Sequence, residues 1–258
     1  EIHERLVGSE MCIRDSAWYR MMKYMKRDFL KSNIKREETT GGFTMAYFPM
    51  FINLENKKVI VLGGGKTALR KINSLIKFDC KIAVIAPRIC DEIKAVQGIS
   101  VHESNMTLDA LDTADMVIAA TKRDDVNAKI GKYCNEHNIP VNVADNKDVS
   151  SFLFPGIVMR EDLVIGVTTG GYSSNVAKEI RNMIEKLIPY EYGTLTRKMG
   201  AYREIASINI KDAYLRELAL DEIIKQAISN KYMIDDRKAN KILDRYAKED
   251  ELRAKGMR

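Results

Sequence analysis

Apolar residues recur along this chain in two rhythms, and the change between them divides it. From Lys58 onward come short, nearly unbroken apolar runs: Val59-Ile-Val-Leu62, Lys81-Ile-Ala-Val-Ile-Ala86, Met116-Val-Ile-Ala-Ala120 and Pro140-Val-Asn-Val-Ala144, with a weaker one over Ile99 to Glu103. Between them the spacing is helical. Ala68, Leu69, Ile72, Leu75 and Ile76 return at three- and four-residue intervals within 66–78, and residues 124–137 read as a second helix. Strands without polar alternation are buried on both faces, and their alternation with helices predicts a parallel, doubly wound sheet.

After Asp145 the pattern shifts. Phe152-Leu-Phe154, Gly156-Ile-Val-Met159 and Leu163-Val-Ile-Gly-Val167 are strand-like, and Arg160-Glu161-Asp162 predicts a hairpin turn between the last two. Ser173 or Ser174 is placed to cap a helix running to about Leu187, with Pro189 as its stop. Residues 190–258 are charge-rich, hold no Gly between Gly200 and Gly256, and carry Leu, Ile and Ala at helical spacing. They predict two to four helices.

The first 44 residues do not share these rhythms. Val7-Gly-Ser-Glu-Met-Cys-Ile-Arg-Asp-Ser16 resembles the translation of a sequencing-adapter sequence, and the basic, Met-rich stretch after it ends in Thr39-Thr-Gly-Gly42. The expectation is a non-native or disordered extension over 1–44 and a native start at Met45. The competing expectation is an amphipathic helix from about Trp18 to Leu30.

Composition narrows the class. The 258 residues are 45% hydrophobic and 30% charged, a globular balance. The four cysteines, at 12, 80, 90 and 134, form no Cys-x-x-Cys pair and signal neither a disulfide framework nor a zinc site. Reduced thiols in a cytoplasm fit them. No apolar run approaches the ~20 residues of a membrane span, and no signal peptide is visible, so a cytoplasmic protein without membrane contact is expected. The net charge of +6, with only 7% aromatics and no basic stripe, argues against a nucleic-acid partner and suits a small anionic ligand.

The candidate chemistry lies at predicted strand ends. Gly63-x-Gly65-x-x-Ala68 stands between a strand and a helix, the context the dinucleotide fingerprint requires. Its glycines allow a tight turn and close approach of backbone to a pyrophosphate, and the following helix start, with Lys66 and Thr67, offers N–H groups and positive potential. The second strand ends in Pro87-Arg88, with no carboxylate to hold a ribose 2′-hydroxyl; Arg88 suits a 2′-phosphate, so NADP stands beside NAD. Thr121 follows the fourth strand and is either a ligand contact or an ordinary helix cap. Asp145 follows the fifth and is either a general base in the same crevice or a turn residue bonded to its own backbone. Thr168-Thr-Gly-Gly-Tyr-Ser-Ser174, ahead of a helix, is an anion cradle, a cap, or both. His3, His102 and His137 have no partners at metal-ligand spacing, and no Ser/His/Asp or Cys/His nucleophile pattern is present.

Taken in order, Tyr47-Phe-Pro-Met-Phe-Ile-Asn-Leu54, Val59-Ile-Val-Leu-Gly-Gly-Gly65, Ala68-x-Arg70-Lys71, Ala119-Ala-Thr121 with Val126-Asn127, Val141-Asn-Val-Ala-Asp145, Phe152-Leu-Phe-Pro155 and Thr168-Thr-Gly-Gly171 with Ser173 resemble the precorrin-2 dehydrogenase/sirohydrochlorin ferrochelatase family, which includes the N-terminal module of siroheme synthases. The resemblance covers residues 47–189 and, loosely, the tail. It implies a Rossmann-like NAD-binding domain over 45–145, a small α/β dimerisation segment over 146–189 and a helical domain over 190–258. It implies a homodimer that oxidises precorrin-2 to sirohydrochlorin with NAD, and in some members also inserts ferrous iron.

By the same resemblance the family's aspartate falls on Asp145. Its dinucleotide contacts fall on Gly63, Gly65, Lys66, Thr67, Pro87, Arg88 and Thr121, and substrate contacts on Thr168, Thr169, Gly170, Gly171 and Ser173. The serine that some siroheme synthases carry before the paired glycine is Thr169 here. Arg160, Lys178 and Arg181 are candidate partners for the carboxylates of the tetrapyrrole. A fused siroheme synthase carries a methyltransferase domain after about residue 190; 69 residues follow Pro189, so precorrin-2 is expected from a separate protein. The competing readings are a dinucleotide-sensing regulatory module and a nucleotide-dependent methyltransferase.

Overall fold

The computed structural model describes residues 47–255. The expectations for the first 44 residues, for Met45, and for His3 and Cys12 lie outside them.

Five parallel strands form the first sheet: β1 (Lys58–Leu62), β2 (Lys81–Ala86), β3 (Ile99–Glu103), β4 (Met116–Ala119) and β5 (Val141–Val143), in the spatial order β3-β2-β1-β4-β5. Helix α1 (Lys66–Leu75) follows β1, the short α2 (Asp91–Lys94) follows β2, and α3 (Asp124–Glu136) follows β4. The apolar runs predict these strands because side chains alternate between two covered faces. Val59, Val61, Ile82, Val84 and Ile118 pack with Ala68, Ile72 and Leu75 of α1 on one face. Ile60, Leu62, Val117, Ala119, Val141 and Val143 pack with Ile130 and Cys134 of α3 on the other. Continuous hydrophobicity is what a strand buried on both sides requires.

The chain order reverses between β1 and β4, and this opens a crevice at the carboxyl edge, where open α/β sheets take their ligands.

Strands β6 (Gly156–Arg160) and β7 (Leu163–Val167) form the expected antiparallel hairpin, with Glu161 at φ 50° in its turn. The segment Phe152–Phe154, expected as a strand, is not one. Side chains replace its ladder: Asn142 donates Nδ2 to the Phe152 carbonyl at 3.0 Å, and Ser151 Oγ accepts from Val141 N at 2.8 Å. Phe152 and Phe154 then pack onto the first core.

Helix α4 (Ser174–Leu187) starts at an N-cap, Ser173, whose Oγ accepts from Val176 N. The tail forms three helices, α5 (Glu191–Asn209), α6 (Ala213–Ser229) and α7 (Asp236–Ala254), around Tyr202, Ala206, Ile210, Leu215, Ala219, Ile223, Ile242 and Leu243. Among the described residues no helix is long and apolar enough to cross a membrane.

Candidate nucleotide and substrate cleft

The loop after β1 shows why three glycines stand there. Gly63 has φ +126°, and a Cβ on it would lie 2.2 Å from the Ala120 carbonyl oxygen. A Cβ on Gly64 would lie 2.1 Å from the Arg88 carbonyl oxygen. These two let the loop pass between the ends of β4 and β2, and Cys90 N donates to Gly64 O at 3.0 Å to fix the second approach. Gly65 differs: nothing lies within 4 Å of its Cβ position. It is the N-cap of α1, no side chain caps this helix, and no acidic residue lies in its first turn. The first-turn N–H groups and the positive end of the helix dipole therefore face open space. A glycine with room above it, ahead of an uncapped helix, is the arrangement a pyrophosphate fits. Lys66 and Thr67 sit in that first turn.

The other strand ends line the same edge. Pro87 and Arg88 are exposed just past β2. The carboxylate missing from the end of β2 is brought near by β3: Glu103 Oε1 accepts from Ile89 N at 3.1 Å and pairs with Lys94 at 2.9 Å. One-dimensional spacing does not reveal it, because only the register of β3 on β2 makes the two strand ends neighbours.

Thr121, past β4, is held in its own turn. Buried Asn127 accepts from its N–H at 3.1 Å, lies 2.7 Å from its hydroxyl and donates Nδ2 to its carbonyl at 3.1 Å. The hydroxyl also accepts from Arg123 N at 3.2 Å. Its side chain thus shapes the β4–α3 turn beside the glycine loop.

Asp145, past β5, is exposed and left-handed, with φ 59°. The Asx-type bond in this turn belongs to its neighbour: Asn146 Oδ1 accepts from Asp148 N at 3.2 Å, and Ser150 Oγ donates to Asn146 O at 2.7 Å. The turn does not use the Asp145 carboxylate.

The threonine–glycine loop is drawn to the same turn. Gly170 and Gly171 have φ of +64° and +80°, and a Cβ on Gly171 would meet Lys147 at 3.2 Å. The Lys147 ammonium lies 4.0 Å from the ring centroid of Tyr172. Thr169 Oγ1 donates to Ser173 O at 2.8 Å, and Thr168 Oγ1 accepts from Gly170 N at 3.2 Å, so both hydroxyls brace the loop.

Of the basic candidates, Arg160 is engaged elsewhere. Its guanidinium donates to the carbonyls of Ile188, Met159 and Glu185, which ties it to the end of α4. Arg181 pairs with Glu185 at 2.6 Å. Lys178 is exposed on the same helix.

One charged group here belongs to the Ala68-x-Arg70-Lys71 motif, whose spacing assigns it no role. Lys71, on α1, is 8% exposed, and its ammonium donates to Asn142 Oδ1 on β5 at 2.7 Å and lies 4.4 Å from the Phe154 ring centroid. Burial, and after it the neighbouring Arg70, lower its pKa to about 8 against the opposing pull of Asp145. Cys134, buried in the opposite core, has its pKa raised to about 11 by burial. Among the described residues no three His, Cys, Asp or Glu side chains are grouped to hold a metal. His102 is exposed, and so is His137, whose ring stacks on Tyr133 at 4.0 Å.

Comparison with known proteins gives these features a context. A family described as putative NAD(P)-binding matches residues 50–156. The siroheme synthase of Thioalkalivibrio sulfidiphilus is 33% identical over 192 residues, 73% of this chain and 39% of that one. That of Saccharophagus degradans is also 33% identical over 192 residues, 73% of this chain and 42% of that one. The chain thus spans about two fifths of the length of these curated relatives. A solved structure named SirC, precorrin-2 dehydrogenase, shares the fold with a TM-score of 0.60 at 22% identity, covering 78% of this chain and all of that one.

Proposed function

The chain belongs to the precorrin-2 dehydrogenase/sirohydrochlorin ferrochelatase family, and from that premise we propose that it oxidises precorrin-2 to sirohydrochlorin with NAD. The observation that carries this reading is one shared edge. The open glycine loop after β1, the turn after β4 and the free carboxylate after β5 follow neighbouring parallel strands. A sensing module needs the first of these and has no need of the last.

Bound at the β1–β4 crevice, the dinucleotide supplies the hydride acceptor. Gly65 leaves room for a pyrophosphate, which the first-turn N–H groups of α1 would hold, with Lys66 adding positive charge. Arg88, exposed just past β2, suits a ribose 2′-phosphate, so NADP is the competing cofactor. Oxidation removes a hydride equivalent and a proton from the substrate. Asp145 takes the proton and, being exposed, returns it to solvent. The loop of Thr168, Thr169, Gly170, Gly171 and Ser173, held beside that turn by Lys147 and Tyr172, receives substrate carboxylates through its backbone N–H groups. The same Asp145 suits removal of the pyrrole protons that ferrous iron displaces. Iron insertion is therefore the second activity to test, with iron as substrate.

We also infer a homodimer. Val176, Ile180, Met183 and Leu187 of α4 are 40–60% exposed, and their spacing of four, three and four places them on one stripe. Sedimentation showing a monomer at micromolar concentration would remove this part.

The deciding experiment is anaerobic. The full chain is given precorrin-2 and NAD, or NADP, and sirohydrochlorin absorbance is followed before and after ferrous iron is added. NAD-dependent formation of sirohydrochlorin is the expected result. Dinucleotide binding without turnover would move the protein to the sensing class.

A further inference from the structure

The dehydrogenase reading uses Asp145 and leaves unexplained why a lysine is buried one strand end away. Among the described residues Lys71 is the single charged side chain in the buried set. Nothing in the packing of α1 demands it, since Ala68, Ile72 and Leu75 form the apolar face of that helix. Retaining an ammonium in such a place is costly unless it is bonded, and here one bond is made to a side chain chosen to receive it.

That partner, Asn142, is on β5, three residues before Asp145. Its Oδ1 accepts from Lys71, and its Nδ2 donates to the Phe152 carbonyl at 3.0 Å. One amide thus ties α1, β5 and the segment leading to β6, with Phe154 lying against the ammonium. Beyond the tie stands Asp145 in a left-handed turn, a conformation that surrounding structure must hold in place. The charges acting on the ammonium are Arg70 on its own helix and Asp145 beyond β5; Asn142, Phe152 and Phe154 are uncharged.

We propose that Lys71 is a positioning residue for the oxidation: through Asn142 it fixes the strand end that presents Asp145, and its charge holds that carboxylate in the orientation that receives the substrate proton. The inference rests on the dehydrogenase reading. It links the helix that starts at the nucleotide loop to the strand that ends at the acid, so cofactor side and proton side share one buried contact.

The test is a pH profile of kcat/KM for precorrin-2 with the full-length wild type, Lys71→Met and Lys71→Arg, beside NAD affinity and thermal midpoint for each. The wild type is expected to lose activity as pH rises through about 8, where the ammonium gives up its proton. Lys71→Met should lose at least tenfold in kcat at pH 7, keep NAD affinity within about twofold and show no alkaline limb. Lys71→Arg, which stays charged, should recover part of the rate and remain active above pH 9. Wild-type kcat and an unchanged profile in Lys71→Met would overturn the inference and leave the dehydrogenase standing. A wild type that does not turn over precorrin-2 would overturn both. Should Lys71→Met fail to fold, the wild-type profile decides: a flat profile between about pH 7 and 9 overturns the inference, and a limb centred near 8 supports it.

Discussion

The helical bundle and the parallel sheet place their polar groups by opposite rules. In the bundle, the starts of α6 and α7 are capped by Asp212 and Asp235, each accepting two backbone N–H bonds. Its buried residues are apolar except for Tyr202, whose hydroxyl bonds Asp236. Charged side chains pair at its surface, as Lys198 does with Asp236 at 2.8 Å. In the sheet domain α1 begins uncapped, an ammonium is buried beneath it, and an aspartate is held at positive φ. Each of these costs stability, and all three lie at or just below the carboxyl edge. Locally unfavourable features that gather at one place mark where a fold gives up stability for a site. The bundle has strained positions too, Lys231 and Tyr232 at φ 54° and 67° between α6 and α7 and an uncapped start to α5, but among the described residues it buries no charge.

The sharpest way to break this contrast is to compare two glycines two residues apart. Gly63→Ala puts a Cβ 2.2 Å from the Ala120 carbonyl oxygen at φ +126°, where backbone cannot yield cheaply. The expected loss is about 3–5 kcal/mol, measured by urea unfolding. Gly65→Ala meets nothing within 4 Å. Its stability should stay within about 1 kcal/mol of the parent, while dinucleotide affinity, measured by calorimetry, falls at least tenfold. Equal losses of stability in the two variants would mean that the space above Gly65 is not reserved for a ligand.

Asp145→Asn tests the acid with the fold left intact, because asparagine also tolerates the left-handed region. Unfolding should change by less than about 0.5 kcal/mol. Turnover of precorrin-2 should fall about 10²–10³-fold, equivalent to about 3–4 kcal/mol in the barrier, if this carboxylate takes the proton. A variant retaining a third of wild-type activity would assign that proton to another group or to water.

The same contrast explains what could be read from the sequence. The strands β1 and β2 coincide with their apolar runs because both sheet faces are covered and no polar interruption blurs the pattern. Ser173, Pro189 and the hairpin turn are local signals, and local chemistry made them legible, although Arg160, read as part of the turn, pairs with Leu163 as the last residue of β6. The failures share a cause. Phe152–Phe154 has strand composition, yet its hydrogen bonds go to Asn142 and to β5, which lies about ten residues away in the chain. Glu103 reaches the end of β2 only through strand register, and Arg160 is lost to the carbonyls of α4 only once the hairpin packs on that helix. Lys71 and Asn142 stand 71 residues apart and carry no joint signature. Spacing locates the strand ends, and with them the glycines and Asp145; which side chains meet there is a tertiary fact.

Lys71→Met sharpens the comparison because stability and activity should move in opposite directions. A lysine in the unfolded chain titrates near 10.5, and this one in the fold near 8. Between those values the unfolded chain binds more protons, so stability rises with pH from about 8 to about 10.5. Below 8 both forms are protonated, and the buried ammonium costs about 3 kcal/mol in full. Methionine removes that cost but leaves Asn142 Oδ1 without its donor, so a net gain of about 2 kcal/mol is expected at pH 7. The gain should shrink toward pH 10, as read from urea midpoints. A variant less stable than its parent at pH 7 would make Lys71 a structural asset like the caps of the bundle.

The smallest effect belongs to the bundle and bounds the rest. Asp235 Oδ1 accepts from the N–H groups of Arg237 and Lys238 at 3.0 and 3.3 Å, and Asp235→Ala removes both at the start of α7. A loss of about 1 kcal/mol is expected, since water replaces an exposed cap at modest cost. Precorrin-2 turnover at 25 °C should not change, because α7 packs on α5 and α6 and touches neither the glycine loop nor the Asp145 turn. If kcat falls with the cap, the bundle is coupled to the carboxyl edge and the division between a supporting region and a reacting one fails. If only the unfolding midpoint moves, the unfavourable features of the sheet domain are the ones that serve turnover.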